Sequence, residues 1–169
     1  MRWIFIGALT IAALVALVAI VGSWLPRSHR ASRERIVAAS PETVWSSITE
    51  VEAFPAWRSD VRKVQRLPDG DGRRAWVEEG RSGKMTFVAE RSEPPRLLVV
   101  RTADPDLPFG GTWTYEITPA GGGSRVTITE DGEIYNPLFR FVARFILGYE
   151  GTIASYLAAL EKKFSAGTH

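Results

Sequence analysis

The chain has 169 residues, room for one ordinary domain, and its 45% hydrophobic and 24% charged content excludes a disordered polymer. It has no cysteine, which excludes disulfides, thiolate metal sites and thiol nucleophiles. The net charge of +2 is unevenly spread: residues 1–35 carry five arginines against Glu34, whereas the remainder carries 16 basic and 18 acidic side chains, so the body lacks the basic footprint of a nucleic-acid binder.

Trp3–Leu25 is a run of 23 residues without a charge, with Thr10 and Ser23 its only clearly polar members. As a helix it is long enough to cross a bilayer core of about 30 Å. Trp3 and Trp24 stand near its ends, where indoles favour the lipid–water boundary. A cleaved signal peptide is the competing reading, but its apolar stretch spans only about 7–15 residues. Residues 1–25 are therefore expected to be a membrane anchor. Arg27, Arg30, Arg33 and Arg35 follow it, and the positive-inside tendency then puts the domain in the cytoplasm. Residues 26–32 read as a basic juxtamembrane linker, 33–164 as the domain and 165–169 as a tail.

A short strand is expected over Arg33–Ala39. Ser40-Pro41-Glu42-Thr43 opens a helix: a hydroxyl to cap it, proline at the first position and a carboxylate in the first turn. A second helical turn is expected over Val51–Phe54, before Pro55. Six strands follow, over Val61–Leu67, Arg74–Glu79, Lys84–Glu93, Arg96–Ala103, Gly111–Thr118 and Ser124–Tyr135, separated by glycine- and proline-rich turns. Short turns favour an antiparallel meander. Asp69-Gly70-Asp71-Gly72 lacks the glycine and glutamate of a calcium loop at its sixth and twelfth positions and reads as a turn. Asn136-Pro137 starts a long helix over Pro137–Phe164, with an inner stripe that begins Leu138, Phe141, Val142, Phe145 and continues to Tyr149, Ile153 and Tyr156. Arg140, Arg144 and Leu147 are expected opposite that stripe.

The order is α+β: a strand, two short helices, six strands and a long helix that must cover the sheet. With Ser40-Pro41-Glu42-Thr43-Val44-Trp45, Phe54-Pro55-Ala56-Trp57, Asp60-Val61 and the Thr127–Asn136 strand, the chain resembles the SRPBCC or START-like superfamily, which includes polyketide cyclase-like proteins. The resemblance implies a helix-grip fold for residues 33–164: a curved antiparallel sheet of about seven strands wrapped on the C-terminal helix, around a hydrophobic cavity. It implies no single activity.

Glu130 shares strand parity with Val126 and Ile128 and is expected to face inward, as a cavity acid, a ligand anchor or a structural partner of an arginine. Trp57, Trp113 and Tyr115 are candidates to line the cavity, as are Phe141, Phe145 and Tyr149 on the closing helix. Arg58 is placed to reach a ligand carboxylate, Glu130 or Asp60. Phe139, Ala143 and Ile146 widen the apolar arc of the last helix, and Phe139 and Ile146 become candidates for contact with bilayer or another protomer. His29 and His169 are the only histidines and fall outside the expected domain. No metal or cofactor is called for. The expected function is a membrane-anchored binding or carrier domain for a hydrophobic or amphipathic small molecule such as a lipid. A cyclase- or dehydratase-like enzyme using Glu130, and a protein-interaction module, are the alternatives.

Overall fold

The computed structural model describes residues 2–68, 72–81 and 83–165, so part of the 69–72 turn, His169 and most of the tail lie outside the described residues. Helix α1, Arg2–Trp24, precedes strand β1, Ser28–Val37. Helix α2, Pro41–Thr49, a 3₁₀ turn at Val51–Ala53 and helix α3, Phe54–Trp57, lead to strands β2 (Val61–Arg66), β3 (Ala75–Gly80), β4 (Gly83–Glu93), β5 (Leu97–Thr102), β6 (Phe109–Ala120) and β7 (Gly123–Ile134). Helix α4, Pro137–Val142, runs into a π-helical turn at Ala143–Leu147, and helix α5, Gly151–Ser165, closes the domain.

All seven strands form one antiparallel sheet in the order β1-β7-β6-β5-β4-β3-β2. The meander β2–β7 follows from its short turns, while β1 reaches the far edge only by pairing with the last strand. Ser40 caps α2 by accepting from the Thr43 amide, and Asn136 caps α4 by accepting from Leu138 and Phe139. Pro41 and Pro137 sit in first turns, where an amide hydrogen would have no partner. The same rule lets α3 run through Pro55, which was expected to end a turn rather than lie inside one.

The sheet curves around α5. Val126 and Ile128 of β7, Ile153, Leu157 and Leu160 of α5, and Val44 and Ile48 of α2 are nearly inaccessible to solvent. Each such side chain contributes about 1.5–3 kcal/mol of burial. This is the expected α+β helix-grip fold, with three departures.

First, β1 begins at Ser28, not Arg33, so most of the expected linker is sheet, paired from Ser28↔Glu133 onward. Its arginines are not a free basic flank. Arg30 pairs with Asp131 at 3.2 Å, and Arg33 and Arg35 pair with Glu150 and Glu161 at the start and in the last turns of α5.

Second, the expected single helix is broken at Gly148, whose φ of +71° and ψ of 177° suit glycine alone. The segment before the break packs mainly on α1, with Phe139 reaching Phe109 of β6. Its buried residues are therefore Arg140 and Ala143, whereas Leu138 and Phe145, expected inside, are 38% and 59% exposed.

Third, the space beneath α2 and the 3₁₀ turn is small: about 10 Å³ beside Ile48, Val51, Trp76 and Leu98, on the scale of one water.

Candidate functional site

Two polar clusters interrupt the apolar interior. The first lies at the end of the sheet where β1, β6 and β7 meet. His29 of β1 is in register with Gly132 of β7, and its ring occupies the space above that glycine: a Cβ at residue 132 would fall 2.4 Å from the imidazole Cε1. Glu130 precedes Gly132 on the same face, so its carboxylate reaches the ring, with His29 Nε2 to Glu130 Oε1 at 3.7 Å. That is beyond direct hydrogen bonding but within electrostatic reach. Trp113 of β6 stands opposite Glu130 in register. Tyr149, just past the Gly148 break, stacks on the imidazole with ring centroids 4.0 Å apart.

Both titratable groups are mostly covered, with side-chain exposures of 11% for His29 and 22% for Glu130. Burial pushes the Glu130 carboxyl above the usual carboxylate range, opposed in part by a hydrogen bond from the Trp113 indole. Burial pushes the His29 imidazole down, favouring its neutral form. His29 Nδ1 is buried without a hydrogen-bond partner. A groove of about 370 Å³ opens at this end of the sheet, bordered by Ser28, His29, Arg101, Asp131, Glu133 and Tyr135.

The second cluster lies deeper, under α5. Arg58 pairs with Glu78 at 3.0 Å and Asp60 at 2.7 Å, and its guanidinium lies over the rings of Phe54 and Tyr156. Trp76 Nε1 donates to Glu78 at 3.0 Å. Burial disfavours the charge on Arg58, but the hydrogen bond to Asp60 and the Glu78 charge outweigh it and hold the guanidinium ionised. Burial drives the Tyr115 and Tyr156 phenols up. Tyr156 packs on Trp57, Trp113 and Tyr115, while the Trp57 indole N–H is buried without a partner among the described residues.

The expected site residues thus divide. Glu130, Trp113 and Tyr149 meet at the sheet end. Trp57, Arg58 and Tyr115 belong to the inner cluster, and Arg58 partners Glu78 and Asp60 rather than Glu130. Phe141 and Phe145 pack on each other at 4.9 Å on the segment outside both clusters. Sequence reasoning missed His29, assigned to the linker, and also Gly132, Glu78 and Tyr156. Glu78 carried a legible signal: it shares strand parity with Trp76, and both are buried.

A curved seven-stranded antiparallel sheet gripping a C-terminal helix, with polar groups set in an aromatic interior, defines a helix-grip domain. Residues 28–164 match the family described as "Polyketide cyclase / dehydrase and lipid transport", and the chain belongs to it. Together, fold and family make this a ligand-binding helix-grip domain. Similar solved structures include the Zhui aromatase/cyclase from Streptomyces sp. R1128, at 13% identity and TM-score 0.66 over 84% of this chain and 96% of that one. Norcoclaurine synthase from Thalictrum flavum aligns at 16% identity and TM-score 0.63 over 84% and 88% of the two chains. The chain spans about half, 51%, of the di-domain aromatase/cyclase StfQ of the steffimycin pathway, at 13% identity and TM-score 0.65 over 82% of this chain. At such identities the likeness is one of fold. Comparison with curated proteins finds no match.

Proposed function

We propose that the chain is a membrane-tethered domain that captures an amphipathic small molecule, with Glu130 and His29 as its polar anchor. The observation that carries this is the partly buried His29–Glu130 pair, with a ring nitrogen that has no partner among the described residues, beside a groove that His29 borders. A raised carboxyl beside a neutral imidazole suits an uncharged hydroxyl or phenol, which can donate to one group and accept from another. Trp113 and Tyr149 pack against the pair itself. The Trp3–Leu25 run supports the tether, because a ligand that partitions into lipid is then concentrated at the domain. Arg27, Arg30, Arg33 and Arg35 support a cytoplasmic domain, since positive-inside orientation counts basic residues whether or not they are paired. Protease protection in right-side-out membrane vesicles is the expected outcome, and digestion of the domain reverses the orientation.

The anchor is tested with 2-naphthol as probe on the full chain in nanodiscs, following His29 by nitrogen NMR. Probe binding should shift the His29 resonances. Glu130→Gln should weaken binding by about one to two decades, the worth of one charge-assisted hydrogen bond. Unmoved His29 resonances and unchanged affinity would overturn this site.

A second reading, cyclase- or dehydratase-like proton transfer, is favoured by the same pair: burial lowers the imidazole and raises the carboxyl, the directions that suit a base and an acid. His29, rather than Arg58, stands beside Glu130. In that reading Glu130→Gln and His29→Asn each lower turnover by about 10²–10⁴-fold, and the residual rate of each loses one limb of a bell-shaped pH profile; binding that weakens without turnover in the wild type leaves the carrier.

A further inference from the structure

The segment between β7 and α5 carries apolar side chains that the described domain leaves partly uncovered. Leu138 and Phe139 are each 38% exposed, and Phe145, Ile146 and Leu147 in the π-helical turn are 59%, 70% and 62% exposed. In a soluble protein, one helical segment with this much contiguous apolar exposure marks a contact surface.

What lies beside that surface points to its occupant. The segment begins against the end of α1. Gly22 is the buried residue of that helix, and a Cβ there would fall 2.0 Å from the Pro137 carbonyl oxygen, so the two backbones touch. Arg140, itself buried, donates to the Leu25 carbonyl at 2.9 Å and to the Tyr135 carbonyl at 3.3 Å, which caps the C-terminal end of α1 and fixes its position relative to α4. Gly22 lies about 3 Å along the helix axis from Trp24, the residue suited to the headgroup level. Pro137 is therefore held at that same level. Arg27 and Arg144 are exposed beside this region, and no ion pair is found for either among the described residues. Such arginines extend aliphatic stems along an apolar surface and present charge to anionic headgroups.

We infer that the α4 and π-turn segment lies in the surface of the bilayer that α1 spans, with Phe145, Ile146 and Leu147 inserted among the acyl chains. This rests on the tether proposed above and goes beyond it, because it fixes how the domain faces the membrane. Tyr149, which stacks on His29, follows this turn after one glycine hinge. The docked segment thus sets the His29–Glu130 site at the lipid surface, and a molecule leaving the bilayer meets the groove without crossing bulk water.

The chain has no cysteine, so single labels are clean. Nitroxides are attached in turn at Ala12→Cys, Ile146→Cys and Glu116→Cys of the full chain, in vesicles of phosphatidylcholine and phosphatidylglycerol, and their depth is read by power saturation. The expected result is Ala12 at the bilayer centre, Ile146 about 5–10 Å below the phosphates, and Glu116 in water. Ala12 deep with Ile146 as aqueous as Glu116 overturns the docking and leaves the tether standing. Ala12 in water overturns both. Ile146 shielded from both lipid and aqueous relaxants, with dipolar broadening between labels, assigns the face to a second copy and overturns lipid docking.

Discussion

His29 and Gly132 face each other across the β1–β7 pair, and the imidazole fills the volume that any side chain at 132 would need. Absence of a Cβ on one strand is what lets the neighbouring strand place a ring beside Glu130. Gly132→Ala should displace that ring, break its stack on Tyr149 and cost about 1–3 kcal/mol as an overpacked contact. The His29 pKa should move back up towards its ordinary value of 6.5 as the ring regains water. A nitrogen NMR titration of the variant, with a thermal melt, checks both; an unmoved His29 titration would show that the glycine is not what seats the ring.

The two titrating groups at the site push stability in opposite directions. Glu130 is raised above 4.5, so the folded state holds a proton that the unfolded chain has lost. Its contribution is present below about pH 4.5 and lost as pH climbs through the folded pKa. His29 is lowered below 6.5, so its contribution is present above that value and lost as pH falls through the folded pKa. Glu130→Gln should therefore gain on the wild type as pH rises from 4.5, and His29→Gln should gain as pH falls from 6.5. Urea unfolding of wild type and variants across this range gives the two slopes, and a pH-independent difference for either variant removes the burial argument for that residue.

The Arg58–Glu78 pair is a structural commitment of the interior. Side-chain exposure is 12% for Arg58 and 7% for Glu78. Arg58→Met leaves a buried carboxylate with only the Trp76 N–H, and should cost about 3–5 kcal/mol. The double variant Arg58→Met, Glu78→Leu should recover most of that, since a buried ion pair and a well-packed apolar pair are often near equal. Chemical denaturation of the two single variants and the double measures the coupling; equally mild effects throughout would mean that water reaches the pair.

Gly148 and Gly151 flank the break between the π turn and α5 and should respond oppositely to alanine. Gly148 holds a φ of +71° and ψ of 177°, and Gly148→Ala should cost about 1–3 kcal/mol. Gly151 opens α5 with no atom within 4 Å of the point an alanine methyl would occupy, so Gly151→Ala should be neutral or stabilising by up to about 1 kcal/mol. Melting temperatures of the two variants test this, and a harmless Gly148→Ala would mean that the hinge conformation is optional.

Local chemistry carried most of the architecture into the sequence. The caps at Ser40 and Asn136, the alternation along Val126 and Ile128, and the glycine-rich turns each act within a few residues, so one chain suffices to read them. Glu130 was placed inward by the same parity and does face the interior. The pairing of β1 with β7 was different. His29 and Gly132 are 103 positions apart in the chain, and nothing near His29 announces a strand, because the arginines that obscure its alternation are matched by Asp131, Glu150 and Glu161 on distant elements. The orientation of the last apolar segment was likewise a tertiary outcome. Its periodicity permitted an inner stripe of Leu138 and Phe145, but the end of α1 lies against Pro137 and claims Arg140 for its terminal carbonyl. Which carboxylate Arg58 meets was decided in the same way, by the register that brings Glu78 rather than Glu130 within reach. Periodicity tells a segment which of its faces is apolar; only the packed chain decides what that face is pressed against.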